Sequence, residues 1–305
     1  MPMGSKLRLA LVQLAPQPAD RAGNLRLAEA LIGSKKADIF VFPHLFSTAA
    51  GPEEAARLAE GPDGPTPAFM KALAQKKKAY VLGSYLAENK KGKIKKTKKS
   101  ETSNSKPFIR FLAFDPNGNV IGVYDAIHLC SIRGEPDHFS AGGKLPFFDL
   151  LTFRSGIIDS YDLRFPELAR EFALSNGFIL FVAGAFKRSE RAAWDALLAA
   201  RAVENQMFCI GCNFASTPEE RVGAPADAAA PRPDSSSNCY CGGSAVFAPD
   251  GRKLHQAGEG DQVLILDIDP FEVEWNRMSL QYITDAKAAP KRARKRVHES
   301  PLDKE

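Results

Sequence analysis

The segment Gly156-Ile-Ile-Asp-Ser-Tyr-Asp-Leu-Arg-Phe-Pro-Glu167 is the most informative stretch of this 305-residue chain. It joins a short apolar run, typical of a buried strand, to a sharp polar turn and the start of a predicted helix. A turn between a strand and a helix presents one short side chain to a pocket, and here that side chain is Ser160. We therefore interpret the segment as a nucleophile turn with a hydroxyl group at its centre.

Strand and helix patterns continue on both sides of this turn. Runs of branched apolar residues predict strands at Leu7–Ala15, Ala37–Phe42, Ala79–Ala87, Phe108–Phe114, Val120–Tyr124, Phe147–Phe153, Gly156–Ile158, Phe178–Ala183, Phe208–Asn213, Ser244–Phe247 and Val263–Ile268. Helical periodicity predicts helices at Asp20–Ile32, Thr66–Lys78, Glu167–Ser175 and Ala192–Gln206. Asp20 is the expected N-cap of the first helix. Strands that alternate with helices but include hairpins indicate a mixed sheet in a layered α/β domain.

The sequence pattern also sets the domain boundaries. We expect one domain over residues 1–285, with inserts at 90–106 and 217–238 that lack the apolar residues needed for a core. Residues 286–305 are expected to form a basic, flexible tail.

Composition excludes several classes of protein. The 44% hydrophobic and 25% charged residues are ordinary for a globular protein. No apolar stretch reaches the roughly 18 residues of a membrane span, and the N-terminus lacks the apolar centre of a signal peptide. The five cysteines form an odd set in a long chain, which favours reduced thiols in an intracellular compartment. We therefore expect a cytoplasmic protein without membrane contact.

The net charge of +5 comes from two short clusters, Lys90–Lys99 and Lys291–Arg296. One interpretation is that both are solvated basic segments. The alternative is that they bind a polyanion such as nucleic acid, an acidic partner, or an import receptor that would take the protein to the nucleus. Neither cluster contains interleaved aromatic residues, so stacking on bases is not indicated.

Together with the turn at Ser160, several motifs in order resemble the nitrilase (carbon–nitrogen hydrolase) superfamily, most closely its ω-amidase-like branch. The resemblance covers Leu7 to about Asp285. The further matching pieces are Ala10–Leu14, Phe42–Phe46, Tyr124–Leu129, Glu135–Phe139, Trp194–Gln206, Asn213 and Gly243–Gly251. It implies a four-layer α-β-β-α sandwich that forms a homodimer or a larger homo-oligomer. It also implies hydrolysis of amides or nitriles through a thioester.

The chain departs from this family at the three positions that carry the chemistry. The resemblance implies a glutamate base, a lysine that stabilises the oxyanion and a cysteine nucleophile. This sequence has His44, Ala126 and Ser160 at those positions. An additional glutamate of the family is retained as Glu135.

Other positions match the surroundings of the family's pocket. The resemblance implies that Tyr161, Arg164 and Asn213 lie at the substrate pocket, for a small amide or carboxylate ligand. Arg164 and Glu167 are expected to brace the turn through an ion pair or a hydrogen-bond network.

Two functional hypotheses follow from these departures. The first is a catalytically degenerate pseudoenzyme that acts by binding or assembly, since Ala126 offers no charge and loss of one oxyanion donor costs about 10²–10³ in turnover. The second is a slow amidase or esterase in which Ser160 is the nucleophile and His44 the base. Glu135 or Asp159 would then orient the imidazole.

The cysteines allow one further hypothesis. Cys209, Cys212, Cys239 and Cys241 supply four thiols, the number that a structural zinc ion uses. However, Cys209 and Cys212 lie three residues apart on a predicted strand, which turns their side chains to opposite faces. We therefore favour ordinary core cysteines and expect neither a metal nor a cofactor.

Overall fold

The computed structural model describes residues 6–89, 105–217 and 239–288. The strands in these ranges form two mixed sheets of six strands each. In order, the first sheet contains β12 (Gln262–Ile268), β1 (Leu7–Gln13), β2 (Ile39–Val41), β3 (Tyr80–Ala87), β4 (Phe108–Phe114) and β5 (Val120–Asp125). The second contains β11 (Lys253–Gln256), β10 (Ala245–Phe247), β9 (Phe208–Cys212), β8 (Ile179–Ala183), β7 (Phe153–Asp159) and β6 (Phe148–Leu150).

Each sheet has a parallel centre with antiparallel edges. Strands β1, β2 and β3 run parallel to one another, as do β7, β8 and β9. The outer pairs, such as β1 with β12 and β9 with β10, are antiparallel. Parallel strands buried on both faces account for the continuous apolar runs in the sequence, such as Ile179–Ala183, in which every residue is buried.

Helices cover the outer face of each sheet. Their bounds are α1 (Arg21–Ile32), α2 (Ala55–Leu58), α3 (Pro65–Lys77), α4 (Glu135–His138), α5 (Pro166–Leu174), α6 (Arg191–Asn205), α7 (Glu272–Ser279) and α8 (Tyr282–Ala288). Helices α1 and α3 pack on the first sheet, and α6 packs on β9 and β10 of the second. The Asp20 carboxylate accepts a hydrogen bond from the Gly23 amide at 2.9 Å, which confirms the predicted N-cap of α1.

The main apolar core lies between the sheets. Along β1, Leu7, Leu9 and Leu11 join a core cluster that includes the strands of the second sheet, whereas Ala10 and Val12 join the cluster under α1 and α3. Alternate residues of a strand point to opposite faces, so one strand contributes to both layers. This arrangement confirms the predicted α-β-β-α sandwich.

One predicted strand was wrong. The segment predicted as a single strand, Phe147–Phe153, is a hairpin in which β6 and β7 pair antiparallel around Leu151 and Thr152. Leu151 has a φ of +58°, a conformation that a branched side chain rarely adopts. Tight turns of this kind are recognised in a sequence by Gly or Asn, so this one gave no signal.

The basic clusters Lys90–Lys99 and Lys291–Arg296 lie outside the described residues, as does most of each predicted insert. Helix α8 continues to Ala288, three residues beyond the predicted domain boundary at 285. Within the described ranges, no helix is both long enough and apolar enough to cross a membrane.

Candidate functional site

The candidate site lies where the carboxyl ends of parallel strands from the two sheets meet. Strand β2 leads into Phe42, Pro43 and His44, and β7 ends at Asp159, directly before Ser160. The His44 amide donates to the carbonyl oxygen of Gly184, the residue that follows β8, at 3.2 Å. Ligand sites in open α/β sheets form at such strand ends, because the loops that follow them converge there.

His44 is paired with a carboxylate. Its Nδ1 lies 2.6 Å from Asp159 Oδ1, and the two side chains are only 15% and 3% exposed. The sequence left Glu135 and Asp159 as alternative partners of the His44 imidazole. In the structure, Asp159 is the one that contacts it. The carboxylate occupies Nδ1 and leaves Nε2 as the ring nitrogen available to another group.

Ser160 is not bonded to His44. It is 5% exposed, and its hydroxyl oxygen accepts a hydrogen bond from the Ala185 amide at 3.0 Å. Within the described part of the chain this is the only hydrogen bond of the hydroxyl group, so the contact required for a serine–histidine pair is absent there. The amide directs positive charge at the oxygen lone pair that a nucleophile would use.

Glu135 and Ala126, the other two residues matched to the family's site, make different contacts. The Glu135 carboxylate accepts a hydrogen bond from the Cys130 amide at 2.7 Å and is 7% exposed. Burial raises the pKa of Glu135, although the Cys130 amide and the neighbouring His44 oppose that rise. Ala126 is 1% exposed and belongs to the main core cluster. Its side chain supplies neither a charge nor a hydrogen-bond donor.

Asp162 is a buried residue of the site that sequence analysis did not single out. Its carboxylate accepts hydrogen bonds from the Tyr124 hydroxyl, from the Ile127 amide at 3.1 Å, and from the His128 amide at 2.8 Å. The His128 ring nitrogen Nδ1 lies 2.7 Å from the same carboxylate. Burial raises the pKa of Asp162, and Asp159 adds to the rise. Asp162 thus fastens the segment around Ala126 to the turn that carries Ser160.

The sequence indicates the position of Asp162 but not its hydrogen-bond partners. Asp162 stands within the quoted turn, so its place near Ser160 follows from the chain. Its partners Tyr124 and His128 are 38 and 34 residues away, and only the folded chain brings them to it.

Arg164 does not pair with Glu167. Its guanidinium group forms an ion pair with Glu190 and lies 4.9 Å from the centre of the Phe186 ring. Of the two predicted forms of bracing, the ion pair between Arg164 and Glu167 was therefore wrong. Arg164 instead contacts Glu190, the residue directly before α6. Tyr161 packs edge-on against Phe165, with 5.5 Å between the ring centres.

Asn213 is fully buried directly after β9. Its side-chain oxygen accepts from the Phe186 amide at 2.8 Å, and its side-chain nitrogen donates to the Gly242 carbonyl oxygen at 2.9 Å. Because Ala185 contacts Ser160 and Phe186 contacts Asn213, the loop after β8 joins the two residues. A role for Asn213 in binding a ligand stays a prediction.

The described residues contain no group of three or more His, Cys, Asp or Glu side chains arranged to hold a metal ion. All five cysteines are buried and unpaired. The Cys212 thiol donates to the Val41 carbonyl oxygen at 3.3 Å, across the space between the two sheets.

Comparison with known proteins agrees with the observed fold. Residues 8–277 match the carbon-nitrogen hydrolase family. The chain is 30% identical to a hydrolase encoded in the pqqF 5' region of Pseudomonas protegens, over 92% of this chain and 88% of the relative. It is 28% identical to the omega-amidase NIT2 of Danio rerio, over 93% and 92% of the two chains. The crystal structure of XC1258 from Xanthomonas campestris, a CN-hydrolase superfamily protein, superimposes with a TM-score of 0.78 at 25% identity, covering 92% of this chain and 97% of that one.

Proposed function

Since the chain belongs to the carbon–nitrogen hydrolase family, we propose that it is a non-hydrolytic member. In this proposal, the residues around Ser160 at the strand ends form a cleft that binds a small amide or carboxylate without cleaving it. The observation that carries the proposal is the state of the Ser160 hydroxyl group, which accepts from the Ala185 amide while His44 is held by Asp159.

The chemistry of the surrounding groups supports this proposal. A hydroxyl group attacks a carbonyl carbon efficiently only when a base removes its proton, and no base contacts Ser160 within the described residues. Ala126 has no group that could stabilise an oxyanion, a loss that typically costs about 3 kcal/mol of transition-state stabilisation. The nearby charges of Asp159 and Glu135 are negative when ionised, so they would oppose a developing oxyanion.

The test is an assay of the purified protein against ω-amides of dicarboxylic acids and N-carbamoyl compounds, with Ser160→Ala as the matched control. We expect the two proteins to show the same background rate. We also expect a subset of these compounds to raise the melting temperature of both, because binding to the folded state stabilises it. Turnover that disappears in Ser160→Ala would contradict the proposal.

One contact favours a second candidate function, a slow amidase or esterase. The pairing of His44 with Asp159 is the arrangement that orients an imidazole for general-base catalysis. Catalytic hydrogen bonds are often long without substrate, so a bound ligand would have to bring Nε2 of His44 to the Ser160 hydroxyl. This candidate predicts turnover that is lost in both Ser160→Ala and His44→Gln.

Whether the cleft is preserved can be tested by restoring the family residues in one chain: His44→Glu, Ala126→Lys and Ser160→Cys. The new ammonium group would stand in a region that holds Glu135, Asp159 and Asp162, which favours its charged form. We expect amidase activity from this triple variant and none from the double variant that keeps Ser160. A folded but inactive triple variant would show that the cleft no longer has a hydrolase shape.

A further inference from the structure

Helix α7 and the residue that follows it expose large apolar side chains on the surface. Trp275, Met278 and Leu280 are 55%, 75% and 60% exposed. Trp275 also borders a depression of about 190 Å³ whose other lining residues are Pro249, Asp250, Glu272, Asn276 and Ser279. We call this depression the tryptophan groove. Neighbouring exposed apolar side chains of this size on a soluble domain commonly mark a surface that another chain segment covers.

The tryptophan groove is acidic as well as apolar. Asp250 and Glu272 line it, Glu274 is exposed on the same helix, and Asp269 lies three residues before the start of the helix. The cations near these carboxylates are Arg252, which forms ion pairs with Asp250 and Glu272, Lys6, which is close to Glu272, and Arg277, which is close to Glu274. Four carboxylates beside three cations leave a surplus of one negative charge. A groove with an exposed indole ring and this surplus negative charge fits a segment rich in arginine and lysine.

The chain contains such a segment close to the groove. In Lys291-Arg-Ala-Arg-Lys-Arg296, five of six residues are basic, and the segment begins three residues after Ala288, where α8 ends. If the segment is extended, Arg292, Arg294 and Arg296 fall on one side, because alternate residues of an extended chain share a face.

The distances allow the segment to reach the tryptophan groove. A helix advances about 1.5 Å per residue, so the path from Trp275 along α7 and α8 to Ala288 is at most about 27 Å long. The straight-line distance is shorter, because α7 and α8 contact each other. The eight residues from 289 to 296 span about 26 Å when extended. The basic segment can therefore fold back over α7 without any change in the described domain.

We propose that the basic segment Lys291–Arg296 docks in the tryptophan groove of its own chain, with an arginine side chain stacked on Trp275 and others paired with Asp250 and Glu272. This pairing is independent of any chemistry at Ser160. It accounts together for two features of the molecule, an exposed apolar helix face and a concentrated block of positive charge.

The fluorescence of Trp275 tests the proposal directly. The chain has two tryptophans, and Trp194 is fully buried, so quenching by acrylamide reports on Trp275. We expect a chain truncated after Ala288 to be quenched more strongly than the full chain, and a peptide of residues 289–305 to restore the protection. A peptide with Arg292, Arg294 and Arg296 changed to serine should not restore it. A Trp275→Phe variant should show no difference between full and truncated chains.

Peptide affinity for the truncated chain gives a second measurement. We expect Trp275→Ala to weaken binding by about two- to five-fold, as for loss of one cation–π contact. Asp250→Asn combined with Glu272→Gln should weaken binding further and reduce its dependence on salt, whereas the matched change Glu53→Gln, an exposed acid elsewhere, should not.

Two outcomes would overturn the proposal. One is equal quenching of the full and truncated chains, together with no binding of the peptide. The other is protection of Trp275 that persists after truncation and grows with protein concentration, since a second copy of the domain would then cover the groove.

Discussion

Three acidic side chains, Glu135, Asp159 and Asp162, are buried near one another at the strand ends. Burying a carboxylate in apolar surroundings costs free energy unless hydrogen bonds or a cation compensate it. Asp162 has several donors and Asp159 has His44, but Glu135 has one amide, that of Cys130. Asp159 and Glu135 thus have one hydrogen-bond partner each among the described residues, but the partner of Glu135 is a neutral amide, whereas the partner of Asp159 is an imidazole that can carry a positive charge.

This difference predicts how stability depends on pH. Burial raises the pKa of Glu135 in the folded protein above its unfolded value, so the folded state keeps the proton to higher pH. Its contribution to stability is therefore full below the unfolded pKa and is lost as the pH rises through the folded pKa. Glu135→Gln cannot titrate and still offers an oxygen to the Cys130 amide. We expect the variant to be more stable than the parent at neutral pH, with a smaller loss of stability above about pH 4.3.

The measurement is urea unfolding at several pH values for the parent and the variant. Glu171→Gln is the matched control, because Glu171 is an exposed acid on α5. A variant that loses stability at neutral pH would show that the Glu135 carboxylate is compensated by more than the Cys130 amide.

At the scale of elements, the spacing between α6 and the second sheet depends on a missing side chain. A Cβ atom added at Gly211 in β9 would lie 2.5 Å from the Trp194 ring and 2.7 Å from Leu198 Cδ1. Both Trp194 and Leu198 are fully buried on α6, so they have little room to move. Glycine thus lets the helix approach the strand, with the indole ring lying over the backbone of β9.

We therefore expect Gly211→Ala to destabilise the protein by about 1–3 kcal/mol, the cost of overpacking a core. Chemical denaturation with intrinsic fluorescence measures this change and also reports on Trp194. Gly143→Ala is the control, because nothing lies within 4 Å of an added Cβ atom at that position. Equal stability of the two variants would mean that α6 shifts freely on the sheet.

The elements also show which parts of the fold can be predicted from sequence. The apolar runs of β8 and β9 and the periodicity of α6 predicted these elements to within two residues, because burial leaves a regular pattern. The sequence analysis did not predict helix α7 or the hairpin at Leu151, and the reason differs between the two. Helix α7 buries Val273 but exposes Trp275 and Met278, so it has no regular apolar face, and Leu151 takes up a turn conformation that its side chain disfavours.

The site was predicted only as far as local sequence allows. The quoted turn predicted Ser160 as the presented side chain, and the resemblance to the family predicted that His44 would share its site. Two contacts depend on how the two sheets face each other. One is the pairing of His44 with Asp159, and the other is the hydrogen bond from the Ala185 amide to the Ser160 hydroxyl oxygen. No spacing in the sequence determines that arrangement.

At the scale of the whole molecule, the five cysteines report on the integrity of the core between and around the sheets. All are buried, and burial raises the pKa of Cys212 far above its usual range and those of Cys209 and Cys241 to about 12. A thiol with a pKa near 12 is about 10⁻⁴ ionised at pH 8, against roughly a quarter for a free cysteine. Since the thiolate is the reactive form, these residues should react only when the protein unfolds.

We expect an aromatic disulfide reagent to titrate few thiols in the native protein and all five in urea, with the slow native phase following the unfolding rate. The two least buried thiols, Cys130 and Cys239, decide the outcome, because they are 7% and 5% exposed. Cys130 also contacts Glu135 through its amide. One thiol could react rapidly in the folded protein, and this reaction could disappear in Cys130→Ser but not in Cys239→Ser. That result would identify Cys130, whose amide holds the Glu135 carboxylate, as a reactive nucleophile. Such a thiol would contradict the expectation that the cysteines react only when the protein unfolds.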